Sequence, residues 1–246
     1  MSGEPVPGET PSPGETLALL ADGEVRPLGL LPGASNYTFL AEVCHADRTA
    51  LAVYKPRAGE APLWDFPEGT LCLREVAAFV LSSALGWPLV PPTIMRDGPH
   101  GPGSVQLFVH ADLREHYFTM RERRMEDFKA VAAFDVVANN ADRKAGHCLL
   151  DGEARIWLVD HGVCFNAAPK LRTVIWDFVD EPVPDALLPS LRRVAGDLRE
   201  GPLREAMLAL LAPDEVDQTA RRAEALAAAG RFPSPGSGRA YPWPPV

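Results

Sequence analysis

The hydrophobic pattern of this chain changes its period once, and that change restricts the fold more than any other feature. From about residue 24 to 110 the apolar residues alternate or form short runs, as in "NYTFLAEV", "ALAVYKP" and "GSVQLFV", which is typical of β-strands. One helical period interrupts them, "TLCLREVAAFVLSSALG", and Gly86 supplies its stop. After about residue 111 helical periods dominate, apart from a short hairpin around Gly152. A β-rich half followed by an α-rich half predicts an α+β fold with two lobes.

The distribution of proline, glycine and core-forming residues predicts the limits of these lobes. Tyr241 and Trp243 are the aromatic residues that can pin the end of the chain to the surface. We predict four segments: a disordered tail at 1–14, a β-rich N-lobe with one main helix at 15–110, a helical C-lobe at 111–230, and a Pro-rich tail at 231–246.

Composition excludes several classes of protein. The formal net charge of −9 argues against a nucleic-acid-binding protein, because a phosphate backbone requires a basic face. No apolar run approaches the ~18 to 20 residues that span a bilayer. The first residues lack the basic and apolar regions of a signal peptide, and the four cysteines form no C-x-x-C pair. We therefore predict a cytoplasmic protein without a transmembrane segment.

Two charged residues in the first half do not fit the apolar pattern. Lys55 ends a strand in register with Leu51 and Val53, so its ammonium group points to the same face as an apolar pair. Burying that group without a partner is costly, and Glu75 in the following helix can supply the partner. The alternative is a lysine whose stem lies along apolar surface while its head reaches water.

Two aspartates in the second half follow apolar runs. Asp142 lies in "NNADRKAGH", directly after the buried helix "AVAAFDVVA", and Asp160 ends the strand in "WLVDHG". Either one alone is explained as an ordinary turn residue. The order of lysine, helical glutamate, loop aspartate and Asp-x-Gly is, however, the order of parts used in phosphoryl transfer.

These motifs give the chain a resemblance to a known family. "AVYKP", "REVAAFVLSSALGWPLVPPT", "GSVQLFV", "NNADRKAGH" and "WLVDHGVCF" resemble the lipid-kinase-like branch of the protein-kinase fold over roughly residues 33 to 176. The closest parallels are type II phosphatidylinositol 4-kinases and the PI3/PI4-kinase-like proteins of actinobacteria, and the small size also resembles HipA-type kinases. The resemblance implies a two-lobed protein-kinase-like fold with a nucleotide cleft between the lobes.

The resemblance also assigns nucleotide-binding roles. Lys55 becomes the phosphate-contacting lysine and Glu75 its partner. The turn between the first strands becomes the phosphate loop, although an ordinary hairpin turn remains an alternative. The backbone of "QLFV" becomes the hinge that meets adenine. The residues expected at the nucleotide, besides Lys55 and Glu75, are Gly33, Ser35, Asn36, Gln106, Phe108 and Val109.

The same carry-over assigns the catalytic loop and the metal. Asp142 becomes the loop aspartate and Asp160 the metal ligand, whereas Arg143 and Lys144 either counter phosphate charge or are solvated bases. His147 stands where the family usually has a metal-binding asparagine. Imidazole suits Mg²⁺ poorly, so His147 implies an Mn²⁺-tolerant site, a histidine that ligates indirectly or helps with proton transfer, or weakened catalysis.

The predicted function is an ATP-dependent phosphotransferase that uses Mg²⁺ or Mn²⁺. Its hydroxyl acceptor is unknown and can be a lipid headgroup, a small polyol or a protein Ser/Thr. The alternatives are a pseudokinase that serves as a nucleotide-binding or interaction module, and nucleotidyl transfer on the same fold. The segment 164–178 takes the place of a substrate loop, with Lys170 and Arg172 as basic points, or it docks on the helical lobe.

Overall fold

The computed structural model describes residues 12–33 and 36–246. Its sheet is antiparallel, with the strand order β1-β2-β3-β5-β4. The strands are β1 (Glu24–Leu30), β2 (Phe39–His45), β3 (Arg48–Pro56), β4 (Thr93–Gly98) and β5 (Gly101–Leu107). A sheet lobe followed by a helical lobe confirms the α+β prediction, while the predicted lobe limits stay a prediction.

A helix begins inside the segment that the sequence predicts to be disordered. Helix α1 spans Pro13–Asp22, and Ser12 caps it by accepting a hydrogen bond from the Glu15 N–H while the Glu15 carboxylate accepts one from the Ser12 N–H. This capping box, with Pro13 in the first turn, satisfies backbone donors that would otherwise lack partners. The Pro/Gly/Glu composition concealed this start signal, so the prediction of disorder was wrong for residues 12–14.

The two faces of the sheet have different neighbours. Ala52 and Tyr54 of β3 are buried and pack in one apolar cluster with Leu19 and Leu20 of α1. Side chains alternate along a strand, so Lys55 points to the opposite face.

The backbone of the neighbouring strand lies close to β3. Lys55 pairs with Ser104 of β5 in the sheet register, and Pro56 pairs with Gly103. A Cβ atom at Gly103 would lie 2.4 Å from the Lys55 carbonyl oxygen. Glycine at this position therefore permits the pairing that fixes Lys55.

The main helix of the sheet lobe, α2 (Leu71–Leu85), is capped from outside. Both carboxylate oxygens of Glu60 accept hydrogen bonds from the N–H groups of Leu71 and Cys72, at 3.0 and 2.8 Å. At the other end Gly86 adopts the left-handed conformation, as the sequence predicts. The cap fixes the start of the helix that carries Glu75.

The second half is helical around one large apolar core. A two-stranded hairpin of β6 (Cys148–Leu150) and β7 (Ile156–Leu158) interrupts it, as predicted. Within the described residues no helix combines the length and the apolar character needed to cross a membrane. The helices are α3 (Tyr117–Met120), α4 (Met125–Ala138), α5 (Leu188–Asp197), α6 (Pro202–Leu208) and α7 (Pro213–Ala229).

The C-terminal segment is attached differently from the prediction. Tyr241 and Trp243 remain 54% and 76% exposed, so they do not pin it. Phe232 instead enters the apolar core, and main-chain groups further along bind the helical lobe. The sequence shows the aromatic residues but not which backbone carbonyls find donors.

Candidate active site

Three charged side chains from separate elements meet at one point. Lys55 Nζ, from the end of β3, binds Glu75 Oε1 of α2 and lies 3.1 Å from Oδ1 of Asp160, which follows β7. Glu75 is almost fully buried, whereas the Asp160 side chain is 54% exposed. The predicted lysine, glutamate and second aspartate therefore share one site, with the aspartate on the open side.

The mutual pairing keeps Lys55 and Asp160 charged. Burial alone lowers the pKa of Lys55, but the charges of Asp160 and Glu75 together raise it above its usual range. The positive charge of Lys55 likewise holds the pKa of Asp160 below its usual range. At neutral pH the site offers a lysine cation beside an accessible carboxylate.

The backbone around Asp160 holds the glutamate in place. Asp160 has φ of +62°, a conformation that aspartate tolerates better than most residues. The next N–H, that of His161, donates to Glu75 Oε2 at 3.0 Å. The two oxygens of the Glu75 carboxylate thus connect Lys55 with the segment that carries Asp160.

Asparagines shape the loop that carries Asp142. Helix α4 ends at Asn139 in the left-handed conformation, and the Asn139 amide binds the carbonyls of Asn166 and Ala168. Asn140 Oδ1 accepts the Asp142 N–H at 2.9 Å. These contacts hold the loop through its backbone and leave the Asp142 carboxylate for other partners.

The Asp142 carboxylate is paired with the second base of the loop. Its Oδ2 lies 3.2 Å from Lys144 Nζ. Burial raises the pKa of Asp142, the nearby charge of Asp160 adds to the increase, and Lys144 opposes it. Asp142 and Asp160 therefore influence each other electrostatically, as two carboxylates in one cleft do.

Arg143 has neither of the roles that the sequence suggests. Its side chain is fully buried, and its Nε and Nη2 donate to Asp135 of α4 at 3.0–3.1 Å. Its Nη1 binds the Val159 carbonyl, and its Nη2 lies 2.8 Å from Nε2 of His161. All of the guanidinium is used inside the protein, so Arg143 is neither solvated nor able to meet a phosphate. Through these contacts Arg143 positions the loop that carries Asp142.

His147 lies beside the Asp160 carboxylate. Its Nδ1 accepts the Lys144 N–H at 3.4 Å, which assigns the ring proton to Nε2, and Nε2 lies 3.4 Å from Oδ2 of Asp160. Burial lowers the pKa of His147 to about 4, so the ring is neutral at neutral pH. A protonated Nε2 has no lone pair for a metal, so this geometry favours the indirect role over direct ligation.

The donor set fits a divalent ion that arrives with phosphates. Among the residues described, no group of three or more His, Cys, Asp and Glu side chains is arranged to hold a metal ion. Mg²⁺ and Mn²⁺ in phosphoryl-transfer sites need only one or two carboxylates, because phosphate oxygens and water complete the shell. Asp160 provides such a carboxylate, so the site suits a metal–nucleotide complex better than an isolated ion.

The predicted phosphate turn is only partly described. Ser35 lies outside the described residues, while Gly33 has φ of +81°, which favours glycine. Asn36 Oδ1 accepts the Ala61 N–H at 2.7 Å. The Asn36 oxygen therefore ties the turn to the segment after β3.

The predicted hinge offers fewer free groups than expected. Gln106 is buried and its side chain donates to Thr93, while the Phe108 N–H donates to the Leu51 carbonyl at 2.9 Å. Val109 differs, because neither its N–H nor its carbonyl has a hydrogen-bond partner in the part of the chain described. Of the predicted hinge residues, Val109 has the backbone groups available to a base.

Two contacts near the site were missed at the level of sequence. Asp135, the partner of Arg143, is a charged residue inside an otherwise apolar helix. This exception to the apolar pattern is the sequence signal that could have identified it. Lys170 Nζ lies 2.7 Å from Oδ2 of Asp65, and the Asn166 side chain donates to the Asp65 carbonyl. The segment that carries Lys170 thus docks on the loop between β3 and α2, so the substrate-loop expectation for Lys170 is replaced by a structural contact.

Solved structures with the same architecture include kinases. The Golgi casein kinase with Mn/ADP bound matches with a TM-score of 0.57 and 15% identity, over 88% of this chain and 75% of that one. The Helicobacter pylori proinflammatory kinase CtkA matches with a TM-score of 0.53 and 12% identity, over 87% of this chain and 94% of that one. At these identities the likeness establishes a protein-kinase-like fold.

Sequence comparison gives a closer relative. No family model matches the chain. Phosphatidylinositol 4-kinase gamma 4 of Oryza sativa subsp. japonica is 34% identical over 115 residues, which is 39% of this chain but only 20% of that protein. Protein Rv2133c of Mycobacterium tuberculosis is 40% identical over 92% of this chain and 94% of its own length. The chain therefore belongs to the family of the mycobacterial protein Rv2133c.

Proposed function

We propose that this protein is an ATP-dependent phosphotransferase. The observation that carries the proposal is Lys55, held between the buried Glu75 and the open Asp160 where the sheet lobe meets the helical lobe. A fixed ammonium group beside an accessible carboxylate is what a nucleotide phosphate and its divalent ion require. The structural likeness to kinases, one of them with Mn/ADP bound, supports the same chemistry.

Each charged group then has a distinct task. Lys55 neutralises phosphate oxygens, and Glu75 keeps the lysine in the cleft. Asp160 holds the divalent ion, which when bound draws charge from the transferring phosphate. Asp142 orients the acceptor hydroxyl and takes its proton, and Lys144, which already lies beside it, offsets charge as the phosphate moves.

The proposal is tested first by binding. ATP with Mn²⁺ at a hundred times its dissociation constant stabilises the folded chain by roughly 2.7 kcal/mol, which corresponds to about 5–11 °C in melting temperature. Asp160→Asn and Lys55→Met are expected to lose this shift. Lys129→Met is the matched control, because Lys129 is likewise paired with two carboxylates, Glu126 and Glu181, away from the cleft.

Turnover separates an active enzyme from a pseudokinase. Hydrolysis or transfer of the γ-phosphate by the wild type, lost in Asp142→Asn, supports the phosphotransferase. Stabilisation by ATP and Mn²⁺ without turnover would instead support the pseudokinase alternative, for which the motive is His147, 3.4 Å from Asp160, together with the non-standard phosphate loop. Absence of any nucleotide-dependent shift would refute both.

A further inference from the structure

The end of the chain returns to the helical lobe beside the candidate active site. The Ala240 carbonyl accepts hydrogen bonds from the Thr173 N–H and from the Trp176 indole, both at 3.1 Å. Thr173 also forms a bridge with Arg143, the residue after Asp142. One end of this segment is thus fixed on the strand-like stretch that lines the catalytic loop.

The other end of the segment binds the catalytic loop itself. The Pro245 carbonyl accepts the Ala145 N–H at 2.8 Å, and Ala145 is three residues after Asp142. Burial raises the pKa of Asp142, and the guanidinium of Arg239 is close enough to oppose that increase. Residues 239–245 therefore run along the catalytic loop close to Asp142.

The contacts with residues 239–245 described above are made to the main chain of this segment. The donors are the N–H groups of Thr173 and Ala145 and the Trp176 indole, and each meets a carbonyl oxygen of the segment. The side chains of Tyr241 and Trp243 point largely to solvent. Each of these aromatic residues precedes a proline, and residues 239–245 have no regular secondary structure. A surface of this kind fits a polypeptide segment without regular secondary structure and selects little by side chain.

We propose that this surface, formed by Ala145, Thr173 and Trp176, is a binding site for a polypeptide acceptor, and that residues 239–245 occupy it until such a polypeptide replaces them. The inference rests on the proposed phosphotransferase function and names its acceptor class. Because the segment is covalently attached, its effective concentration at the surface is of the order of millimolar, so a free polypeptide competes poorly while it is seated.

The transfer step balances for a serine or threonine of the polypeptide. The hydroxyl oxygen forms a bond to the γ-phosphorus while the bond from that phosphorus to the β–γ bridging oxygen breaks. The hydroxyl proton passes to Asp142, and ADP leaves with the bridging oxygen. A phosphate monoester on the polypeptide is the product.

The binding test uses a labelled synthetic peptide of residues 236–246 and fluorescence anisotropy. The receptor is the full-length chain, either wild type or with residues 239–245 replaced by a Gly/Ser sequence of equal length. We expect the peptide to bind the replaced chain at least about tenfold more tightly than the wild type. Equal affinity for both chains, or binding to neither, would overturn the inference.

Matched substitutions locate the bound peptide. In the replaced chain, Trp176→Phe removes one donor and is expected to weaken peptide binding about fivefold. Trp157→Phe is the control, because its indole donates to Asp151 in the β6–β7 hairpin instead. Equal loss from both substitutions would count against the assigned surface.

Hydrogen exchange tests the seated segment in the unaltered protein, in case the replacement impairs folding. If residues 239–245 leave the surface readily, the amides of Ala145 and Thr173 exchange much faster than the amides of the apolar core. Exchange of these amides only at the rate of global unfolding would show a permanent structural element and refute the inference.

Transfer from γ-labelled ATP to the peptide, with serine in place of Tyr241, completes the test. Labelled peptide supports the inference. ATP turnover without peptide binding overturns the inference and leaves the proposed function standing, whereas peptide binding without any nucleotide effect removes the proposed function.

Discussion

The buried pair of Asp135 and Arg143 allows a quantitative prediction. The two side chains are 1% and 0% exposed, and the carboxylate also receives hydrogen bonds from Asn140 and Thr173. Asp135→Asn removes the negative charge and leaves a guanidinium buried without compensation. Breaking such a pair from one side costs about 3–5 kcal/mol. For a chain of this length that corresponds to a decrease of about 6–20 °C in melting temperature.

Urea and thermal unfolding followed by circular dichroism measure this loss. Asp112→Asn is the matched control, because Asp112 also binds an arginine through both oxygens, but the Arg114 side chain is 90% exposed. The control is expected to change stability by less than about 1 kcal/mol. Replacing both members of the buried pair, Asp135→Leu with Arg143→Met, is expected to recover much of the loss. An Asp135→Asn variant as stable as the control would refute the assignment of Arg143 as the buried support of the loop.

Four further tests address the framework of the fold and of the site. Gly103→Ala places a methyl group 2.4 Å from a carbonyl oxygen of β3 and is expected to lower the free energy of unfolding by about 1–3 kcal/mol. The control Gly196→Ala lies in open space on α5 and is expected to be neutral or stabilising. Equal effects of the two substitutions would contradict the close strand contact. Glu60→Ala removes the cap of α2 and is expected to lower the free energy of unfolding by about 1 kcal/mol and to reduce the nucleotide-dependent thermal shift. An unchanged melting curve would show that the cap is not needed. Burial raises the pKa of the Cys148 thiol to about 12, so at pH 8 a thiol reagent is expected to modify the partly exposed Cys44 and to spare Cys148 until denaturant is added. The pKa of the Cys148 thiol is near 9 in the unfolded chain and about 12 in the folded one. Its contribution to the free energy of unfolding is therefore present below pH 9 and is lost as the pH rises from 9 to 12. A Cys148→Ala variant is expected to show a smaller loss of stability over this pH range.

Local patterns were sufficient for most of the fold. The helical period and Gly86 predict α2, and the alternation in "ALAVYKP" predicts β3. Both signals lie within a few neighbouring residues, so they do not depend on the rest of the chain. The start of α1 has an equally local signal, the capping box at Ser12, within a stretch whose Pro/Gly/Glu composition is typical of disordered segments.

Site residues were harder to interpret where the partner is distant in sequence. Charges at strand and helix positions that suit apolar residues indicated Lys55 and Glu75, and the structure brings them together with Asp160. Arg143 could not be understood in this way, because its burial results from how α4 packs beneath the loop. The contact of residues 239–245 with the helical lobe could not be predicted either, because it is made by backbone carbonyls, which every residue has.

The Asp160 carboxylate has one oxygen beside Lys55 and the other beside His147. A cation that binds this exposed carboxylate weakens its attraction for Lys55, and a phosphate then supplies Lys55 with a second anionic partner beside Glu75. Metal and nucleotide are consequently expected to bind with positive heterotropic coupling: each increases the affinity for the other by the same factor, and neither alone saturates the cleft at concentrations where the pair does.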